Sequence, residues 1–339
     1  MARSGVVYGP SGSRKTSQVK WFAHYIARAT GKSTLLLTLD GGGYEPCQPE
    51  VDAGMIVPYR CETAVLPLSI LRHISKGYWP KDPNETEPAR INLVPIKWEE
   101  IGGVAIEGWT SISQVVMRYL PDVGVSVGGE DRNKLGGFSQ EMYVNGQLAK
   151  TELRSNTRGD FGFSQNYLYG LVMNFNSLPC RYVLYTALEA KTEDDDRSTT
   201  FGPAISGKKA TSQCGAWVGD MLHAQDYPLV HKVSVPDPND TSKMVDHDVV
   251  DMTVRMHFKK HLDPATGIPF PCKTRVTPEK LGELDKAFPG GYFEPTLSWG
   301  IDKYLETVDA LSAGQADSLK DWRAKVDAKL GRVAATTSK

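Results

Sequence analysis

Hydrophobic positions in the first 40 residues change from a short run to a helical period and back to a run. Residues 5–8 form the first apolar run, which predicts a strand. Apolar residues then recur at helical spacing until Gly31, a residue type that often ends a helix. They are Val19, Phe22, Ala23, Ile26 and Ala27. Residues 33–40 form a second run with polar ends, typical of a strand buried on both faces. This order predicts a βαβ unit, and therefore a parallel sheet with helices on its faces.

The same two patterns alternate as far as residue 186. Strands are predicted at 55–59, 103–107 and 182–186, and helices at 65–74, 112–119 and 167–175. Polar stretches separate them at 76–95, 121–163 and 190–213. The first is predicted to be a surface excursion. The second is glycine-rich, and a connection of that length is usually functional or mobile.

The last third of the chain has a different pattern. From Val230 onward it is β-rich and punctuated by proline, and residues 249–258 alternate like a strand that faces a core on one side. Residues 315–330 predict a terminal helix followed by a frayed tail. We therefore expect an α/β core at 1–225, a β-rich extension at 226–312 that completes the core or is appended to it, and a C-terminal helix and tail at 313–339.

Composition is that of an ordinary globular protein. Hydrophobic residues make up 40% and charged residues 23%, which excludes a chain disordered throughout. The net charge is -1, so nucleic-acid binding has to depend on local patches. The apolar runs are too short to cross a membrane, and the N-terminus lacks the layout of a signal peptide. Five scattered cysteines without a CxxC pair are typical of reduced thiols, so a cytoplasmic protein is expected.

The strongest chemical signal follows the first predicted strand. It consists of Gly9, Pro10, Ser11, Gly12, Ser13, Arg14, Lys15 and Thr16. The order resembles the phosphate-binding P-loop, G-x-x-x-x-G-K-[ST], between a strand and an amphipathic helix as that motif requires. Such a loop points backbone N–H groups at one place, and the helix dipole adds positive potential. Lys15 is predicted to reach the β- and γ-phosphates of ATP, and Thr16 to offer its hydroxyl to Mg²⁺.

One position departs from this motif. Arg14 stands where the P-loop has its second glycine, a residue that lets the backbone turn close to phosphate. An arginine there needs an allowed backbone conformation, and its side chain must turn away from the phosphates or onto the nucleotide. The alternative interpretation of residues 9–16 is a basic surface turn ahead of a helix.

An acidic residue is expected to complete a Mg²⁺ site. Glu107 ends the apolar strand predicted at 103–107, the place of a Walker B acid, where aspartate is more usual. Glutamate can hold the metal through one more methylene, or act as the base. The alternative is a solvated glutamate at the end of a strand.

Several segments together are similar to RecA-like ATPases, most of all to the small RecA-like ATPases of tailed phages that assist single-strand annealing and recombination. The residues that carry the resemblance are the P-loop at 9–16, the strand end at 39–43, residues 105–111, the strand at 182–186 with residues 187–189 after it, and residues 202–208. The similarity covers about residues 1–225. It implies a RecA-like P-loop NTPase fold and a homo-oligomer, because RecA-like sites usually lie between subunits.

The resemblance also implies roles for residues beyond the P-loop. Glu62 matches a catalytic glutamate that polarises the attacking water, although an acid at a helix N-terminus is equally consistent. Thr186 matches a polar sensor of the γ-phosphate, or is simply a buried threonine at a strand end. Lys208 and Lys209 lie in a glycine-flanked stretch from which they could reach a neighbour's nucleotide or DNA. The alternative for both lysines is a solvated loop.

A second basic segment is a candidate for binding single-stranded DNA. Residues 255–280 contain six basic residues and two acidic ones, with His257, Phe258 and His261 among them. The basic residues are Arg255, Lys259, Lys260, Lys273, Arg275 and Lys280. On a hairpin they would form a cationic face with stacking rings, or else an ordinary solvated hairpin. The two histidines lack the helical spacing of a metal site. By their resemblance to the corresponding loops of RecA-like ATPases, residues 128–163 are a second candidate segment for binding DNA.

Three functions remain open from the sequence. The first is a Mg²⁺-dependent ATPase that acts on DNA in phage recombination or replication, in the host cytoplasm if the chain is phage-encoded. The second is a nucleotide-binding structural or assembly protein with weak or no hydrolysis, which the departure at Arg14 and the glutamate at 107 favour. The third is a DNA-packaging or translocating motor, although the chain shows no nuclease-type carboxylate cluster.

Overall fold

The computed structural model describes residues 2–39, 44–60, 68–82, 85, 90–122, 138–144, 147–153, 158–193, 199–237 and 240–312. The strands there are β1 (Arg3–Gly9), β2 (Ser33–Thr38), β3 (Ile56–Arg60), β4 (Tyr78–Pro80), β5 (Leu93–Pro95), β6 (Ile101–Glu107), β7 (Phe138–Val144), β8 (Gln147–Leu153), β9 (Tyr182–Glu193), β10 (Thr199–Pro203), β11 (Asp220–Asp237), β12 (Asp240–His257), β13 (His261–Leu262), β14 (Pro269–Phe270) and β15 (Tyr292–Phe293). The helices are α1 (Lys15–Thr30), α2 (Gln48–Asp52), α3 (Leu68–Ile74), α4 (Trp109–Asp122), α5 (Arg158–Asn176), α6 (Lys208–Trp217), α7 (Pro278–Ala287) and α8 (Ile301–Ser312), with a 3₁₀ turn at Glu45–Cys47. The predicted α/β class is confirmed.

One mixed sheet of nine strands organises the molecule. Its order is β15-β12-β11-β1-β9-β6-β2-β3, and β10 pairs with β9. The six strands from β11 to β3 are parallel, while β12, β15 and β10 pair antiparallel. From β1 the chain crosses to β2 on one side, and later it returns to β11 on the other. The direction of winding therefore changes beside β1, where open α/β sheets have their ligand crevice, at the carboxyl ends of the strands.

Hydrophobic layers cover both faces of this sheet, because side chains alternate along each strand. In β1, Val6 and Tyr8 join one layer and Val7 joins the other. Helices α3 to α6 contribute to the first layer, and α1, α7 and α8 contribute to the second. No helix in the described ranges is long and apolar enough to cross a membrane.

A buried carboxylate ties the amino ends of the central strands together. Asp220, the first residue of β11, has a side chain with no exposed surface. It accepts hydrogen bonds from Arg3 Nε at 2.8 Å, from the Tyr182 hydroxyl at 2.8 Å and from the backbone N–H of Arg275 at 2.9 Å. Burial alone would lower the pKa of the Arg3 guanidinium, but the contact with Asp220 raises it above its usual value. The Arg3 guanidinium therefore stays charged beside Asp220.

Three polar stretches contain more regular structure than the sequence predicts. The surface excursion at 76–95 holds the short hairpin β4–β5, and the glycine-rich connection at 121–163 holds the hairpin β7–β8 and the start of α5. The stretch at 190–213 contains the end of β9, all of β10 and most of α6. The reason is that two-stranded ribbons satisfy their backbone groups by pairing with each other, without the apolar run that identifies a core strand.

The C-terminal third also differs from the prediction. β11 runs through the predicted boundary at 225, and β12 and β15 extend the main sheet. The strand predicted at 249–258 to face a core does so only near its end, since Val254 and Met256 are buried while Val250 is 58% exposed. Helices α7 and α8 are not among the predicted elements. The helix predicted at 315–330 lies outside the described residues, and the three-part division of the chain stays a prediction.

Candidate functional site

The loop between β1 and α1 is tightly turned. Ser13 donates from its backbone N–H and from its hydroxyl to the carbonyl of Pro10, at 3.4 and 2.8 Å. Gly9 has no room for a side chain, because a Cβ would lie 2.3 Å from the Ala224 carbonyl oxygen and 2.9 Å from Ser13 Oγ. Residues 9–14 therefore curve back over the end of β1 before α1 begins at Lys15.

The ammonium of Lys15 lies inside this curve. Its Nζ donates to the carbonyls of Gly9 at 3.0 Å and Pro10 at 2.5 Å, and to Ser13 Oγ at 3.3 Å. The residue is only 9% exposed. The first N–H groups of a helix lack carbonyl partners within that helix, so the positive end of α1 and the ammonium point to the same small volume. This arrangement is suited to binding an anion with several charged oxygens.

Arg14 takes the backbone conformation that the missing glycine would supply. Its φ is 56° and its ψ is 27°, and among the described residues no other non-glycine residue has a positive φ. The side chain is exposed at the rim of the cleft, so it does not fill the curve of the loop. Arg14 therefore adopts an allowed backbone conformation, as the sequence analysis required of it, and that conformation is left-handed. For a residue with a Cβ this conformation costs about 1–2 kcal/mol.

Arg14→Gly is expected to raise the free energy of unfolding by roughly 0.5–1 kcal/mol, because the relief of left-handed strain exceeds the larger entropy that glycine loses on folding. Urea denaturation measures the change. Ser11→Gly, in the same loop but without a positive φ, is the matched control and should give no gain. Equal effects of the two substitutions would contradict this explanation.

Glu107, the last residue of β6, joins the start of α1 to β9. Its Oε1 accepts from the Thr16 hydroxyl at 2.6 Å, and its Oε2 accepts from the Thr186 hydroxyl at 2.6 Å. Thr186 Oγ1 in turn accepts from the backbone N–H of Gly108 at 3.1 Å. Glu107 and Thr186 are 5% and 2% exposed, so this is a buried network rather than a solvated strand end.

Register in the parallel sheet explains why these residues meet. Thr186 in β9 is opposite Val7 in β1, and Tyr185 is opposite Ile106 in β6, so the carboxyl ends of β1 and β6 lie on either side of the middle of β9. Between them and the start of α1 is a cleft of about 480 Å³. Lys15, Thr16, Glu107 and Thr186 all line it.

The groups around the cleft fit Mg²⁺ and a polyphosphate. Hydroxyl and carboxylate oxygens are ligands that Mg²⁺ prefers, and Mg²⁺ is usually held by one or two carboxylates together with substrate phosphates. No group of three histidine, cysteine or acidic residues in the described ranges could hold a metal by itself. A metal held jointly by Thr16, Glu107 and phosphate does not need such a group.

The structure brings together most, but not all, of the residues predicted for the site. The residues that line the cleft are Ser11, Gly12, Arg14, Lys15, Thr16, Glu107 and Thr186. Gly9, Pro10 and Ser13 do not line it but accept hydrogen bonds from Lys15 Nζ. Glu62 and residues 40–43 lie outside the described residues. Lys208 and Lys209 begin α6 instead of lying in a loop, because Gly207 precedes them as the N-cap.

One contributor to the cleft was missed by the sequence analysis. Thr110 Oγ1 accepts from the backbone N–H of Leu188 at 2.9 Å and so links the start of α4 to β9. The available signal was a hydroxyl three residues after Glu107, where the chain leaves the same strand.

The prediction that residues 255–280 form a face with stacking aromatic rings is wrong. Phe258 is 1% exposed and His257 is 8% exposed, since β12 here lies inside the sheet and not on a free hairpin. Arg255 Nε is bonded to Glu294 at 2.9 Å, and Lys259 is paired with Asp285. The basic residues therefore do not form one face with exposed aromatic rings.

The two histidines of that segment, His257 and His261, lie instead in a stack with His223 of β11. His223 Nδ1 is 3.1 Å from His261 Nε2, and His223 Nε2 is 2.9 Å from Glu189 Oε2. The His257 and His261 ring centroids are 3.7 Å apart. Other groups against the stack are Phe270, Tyr292 and Arg255. Burial and the neighbouring imidazoles lower the pKa of His257 to about 3, and burial lowers that of His261 to about 4.

Stability is therefore expected to fall in mild acid. The pKa of His257 is about 3 in the folded protein and 6.5 in the unfolded chain. Between these two pH values the unfolded chain binds more protons than the folded protein. The stability that is present above pH 6.5 is therefore lost as the pH falls. His257 alone should cost about 2 kcal/mol between pH 6.5 and about pH 5. Urea denaturation at both pH values tests this. His257→Phe should flatten the decrease, whereas exposed His73→Phe should not; a pH-independent wild type would contradict the expectation.

No protein-family model matches the chain, and a search of curated proteins also finds no match. Function therefore has to be inferred from the geometry of the cleft.

Proposed function

We propose that the chain has a RecA-like P-loop fold that binds ATP with Mg²⁺ in the cleft after β1 and hydrolyses it. The observation that carries the proposal is the joint placement of three groups. The Lys15 ammonium lies in the curve of a loop that opens a helix, and the Thr16 hydroxyl beside it is bonded to the buried carboxylate of Glu107. The position of the cleft beside β1, where the winding of the sheet changes direction, further supports it.

The side chains have distinct tasks in this proposal. Lys15 exchanges its bonds to the loop carbonyls for bonds to phosphate oxygens, and the first N–H groups of α1 bind the same phosphates. Thr16 and Glu107 hold Mg²⁺, which supplies neutralisation of the charge that develops on the phosphates. Thr186 keeps the Glu107 carboxylate oriented through its 2.6 Å bond, as partners of ligating carboxylates commonly do.

A second candidate function is nucleotide binding without rapid hydrolysis. Glu107 is the sole carboxylate among the described residues that line the cleft, and both of its oxygens already accept hydrogen bonds. A carboxylate engaged in this way is suited to holding a metal, so another group is needed to orient the attacking water. Glu62 is the proposed residue by resemblance.

Single-stranded DNA and further copies of the chain are the partners that the resemblance supports. We extend the proposal accordingly to an ATPase of phage recombination or replication, whose turnover DNA stimulates. Because residues 255–280 do not form a stacking face, this part of the proposal depends on the similarity of residues 1–225 to RecA-like ATPases.

Glu107→Gln tests the proposed metal site. It keeps the size of the side chain and removes its charge, so Mg²⁺ affinity and ATP turnover should both fall by about 10–100-fold. Turnover is measured with and without single-stranded DNA, and nucleotide binding is measured by titration calorimetry. Glu100→Gln, an exposed residue just before β6, is the matched control.

The outcomes separate the candidates. Wild-type turnover that depends on Glu107 supports the ATPase. Nucleotide binding without turnover supports the second candidate. No binding of nucleotide by the wild-type protein would overturn both.

A further inference from the structure

A second cleft lies at the amino edge of the main sheet, where the parallel strands begin. Its volume is about 460 Å³. It is lined by Gly219, just before β11, and by residues 273–277, which connect β14 to α7. The cleft beside Lys15 lies at the other end of the same strands, where they reach their carboxyl ends. The two clefts are therefore separate sites; we call the second one the amino-edge cleft.

The charged residues that line the amino-edge cleft are both cations. Lys273 is half-buried and Arg275 is exposed, and neither is paired with a carboxylate in the part of the chain that the structure describes. Arg275 Nε would lie 3.8 Å from a Cβ placed on Gly219, so the guanidinium lies over the floor of the cleft. Glu279, the acid nearest in sequence, accepts a hydrogen bond from the Thr277 hydroxyl instead.

The two cations are close enough to repel each other. Burial and the charge of Arg275 lower the pKa of the Lys273 ammonium below its usual value. Asp220 attracts Lys273, but its carboxylate is already bonded to the Arg3 guanidinium at 2.8 Å. The cleft therefore has a surplus of positive charge, which an anion bound between the two head groups would neutralise. Perturbed charged groups in a cleft are candidates for a functional site.

The backbone that carries both cations is fixed. The N–H of Lys273 donates to the Met221 carbonyl at 3.0 Å, and the N–H of Met221 donates to the Lys273 carbonyl at 2.8 Å. The N–H of Arg275 donates to Asp220 Oδ1 at 2.9 Å, and the Thr274 hydroxyl donates to the same oxygen at 3.2 Å. A ligand therefore does not have to order this segment when it binds, which favours affinity.

We propose that the amino-edge cleft binds a phosphate dianion between Lys273 and Arg275. Two cations match the charge of a dianion, and the planar guanidinium of Arg275 can donate to two phosphate oxygens at once. A phosphodiester carries a single charge on each phosphate and matches the pair less well. Free phosphate and a small phosphomonoester share this chemistry. The volume of the cleft and the side chain of Val276 in its lining leave room for the organic part of a monoester.

Equilibrium dialysis with radiolabelled phosphate tests the proposal at mildly alkaline pH, where phosphate is a dianion. The protein carries Lys15→Met, so that the loop at 9–16 contributes as little as possible. Lys273→Met and Arg275→Met are added singly. Lys280→Met is the matched control, because it removes the same charge from the same segment but lies outside the lining of the cleft. Circular dichroism confirms that each variant is folded.

The protein with Lys15→Met should bind one phosphate. Lys273→Met and Arg275→Met should each weaken this binding by about 10-fold or more, the effect of losing a charge-assisted hydrogen bond. Lys280→Met should leave the affinity unchanged. In the wild-type background, where the loop at 9–16 can bind phosphate as well, the same two substitutions should remove one phosphate per chain.

Competition with unlabelled compounds distinguishes the two sources of the dianion. Stronger displacement by glycerol phosphate than by phosphate identifies a phosphomonoester as the ligand, and equal displacement identifies free phosphate; glycerol should displace nothing. Absence of phosphate binding, or an equal loss in all three lysine and arginine variants, would overturn the proposal. So would stronger displacement by a single-stranded oligonucleotide without terminal phosphates, which would assign the cleft to nucleic acid. None of these results depends on ATP hydrolysis.

Discussion

Lys15→Met is expected to lower ATP turnover by about 10²–10³-fold, the usual effect of removing one group that stabilises developing charge in a site closed to water. The substitution keeps the apolar stem of the side chain but removes the ammonium that donates to Gly9, Pro10 and Ser13. Nucleotide affinity should fall as well, because the phosphates lose the charge nearest to the start of α1. A coupled phosphate-release assay and a titration with nucleotide measure the two effects.

The matched control for this prediction is Lys20→Met. Lys20 lies on the same helix but is half-exposed and 3.7 Å from Glu50, outside the cleft. Its turnover and nucleotide affinity should equal those of the wild-type protein. If Lys15→Met retains wild-type turnover while its thermal unfolding shows a folded protein, the nucleotide site is not at residues 9–16.

Asp220→Asn is expected to lower the free energy of unfolding by about 3–5 kcal/mol, because it removes the buried carboxylate 2.8 Å from the Arg3 guanidinium and leaves the longer contact of 4.0 Å with the partly exposed Asp309. The amide also places donors where Arg3, Tyr182 and the Arg275 N–H already donate. Urea denaturation at neutral pH measures the loss. The loss affects the whole sheet, since Asp220 joins the amino ends of β1, β9 and β11.

Asp226→Asn is the control for Asp220, since this residue lies in the same strand but is exposed. Its effect should lie within about 0.5 kcal/mol of zero. A double-mutant cycle with Arg3→Met should show strong coupling to Asp220→Asn, because the second substitution removes the charge left unpaired by the first. Additive effects would contradict a charge pair and leave only loss of packing.

Segments that are buried in the core, on one face or on both, were the ones that the sequence could predict. The helical spacing from Val19 to Ala27 and the runs around it correctly predicted β1, α1 and β2, and Gly31 ends α1 with a φ of 69°. Helix α8 has an equally clear helical spacing at Ile301, Tyr304, Leu305 and Val308. The sequence therefore contained the signal for this helix, although the prediction did not include it.

Elements that depend on pairing alone gave no comparable signal. The outer half of β9 and the part of the β11–β12 hairpin beyond the sheet have polar or mixed sequences, because little in the described part of the molecule covers them. Alternation in residues 249–258 suggested a core on one side, yet the strand runs past the sheet before any layer can cover it. Burial cannot be inferred from alternation unless the neighbouring strand is known.

In the candidate site, too, the sequence could predict single residues but not how they are joined. Lys15 and Thr16 could be located by motif, and Glu107 and Thr186 by their positions at the ends of predicted strands, although β9 continues past Thr186 to Glu193. That Glu107 joins Thr16 to Thr186 depends on the order β1-β9-β6, which no local pattern specifies.

Gly9 and Ala224 touch where the loop begins and the hairpin of β11 and β12 leaves the sheet, so closely that no side chain fits between them. Backbone lies directly against backbone at this point, so no flexible side chain can absorb a displacement of either segment. A shift of β11 at Ala224 is therefore expected to move the start of the loop 9–16 with it.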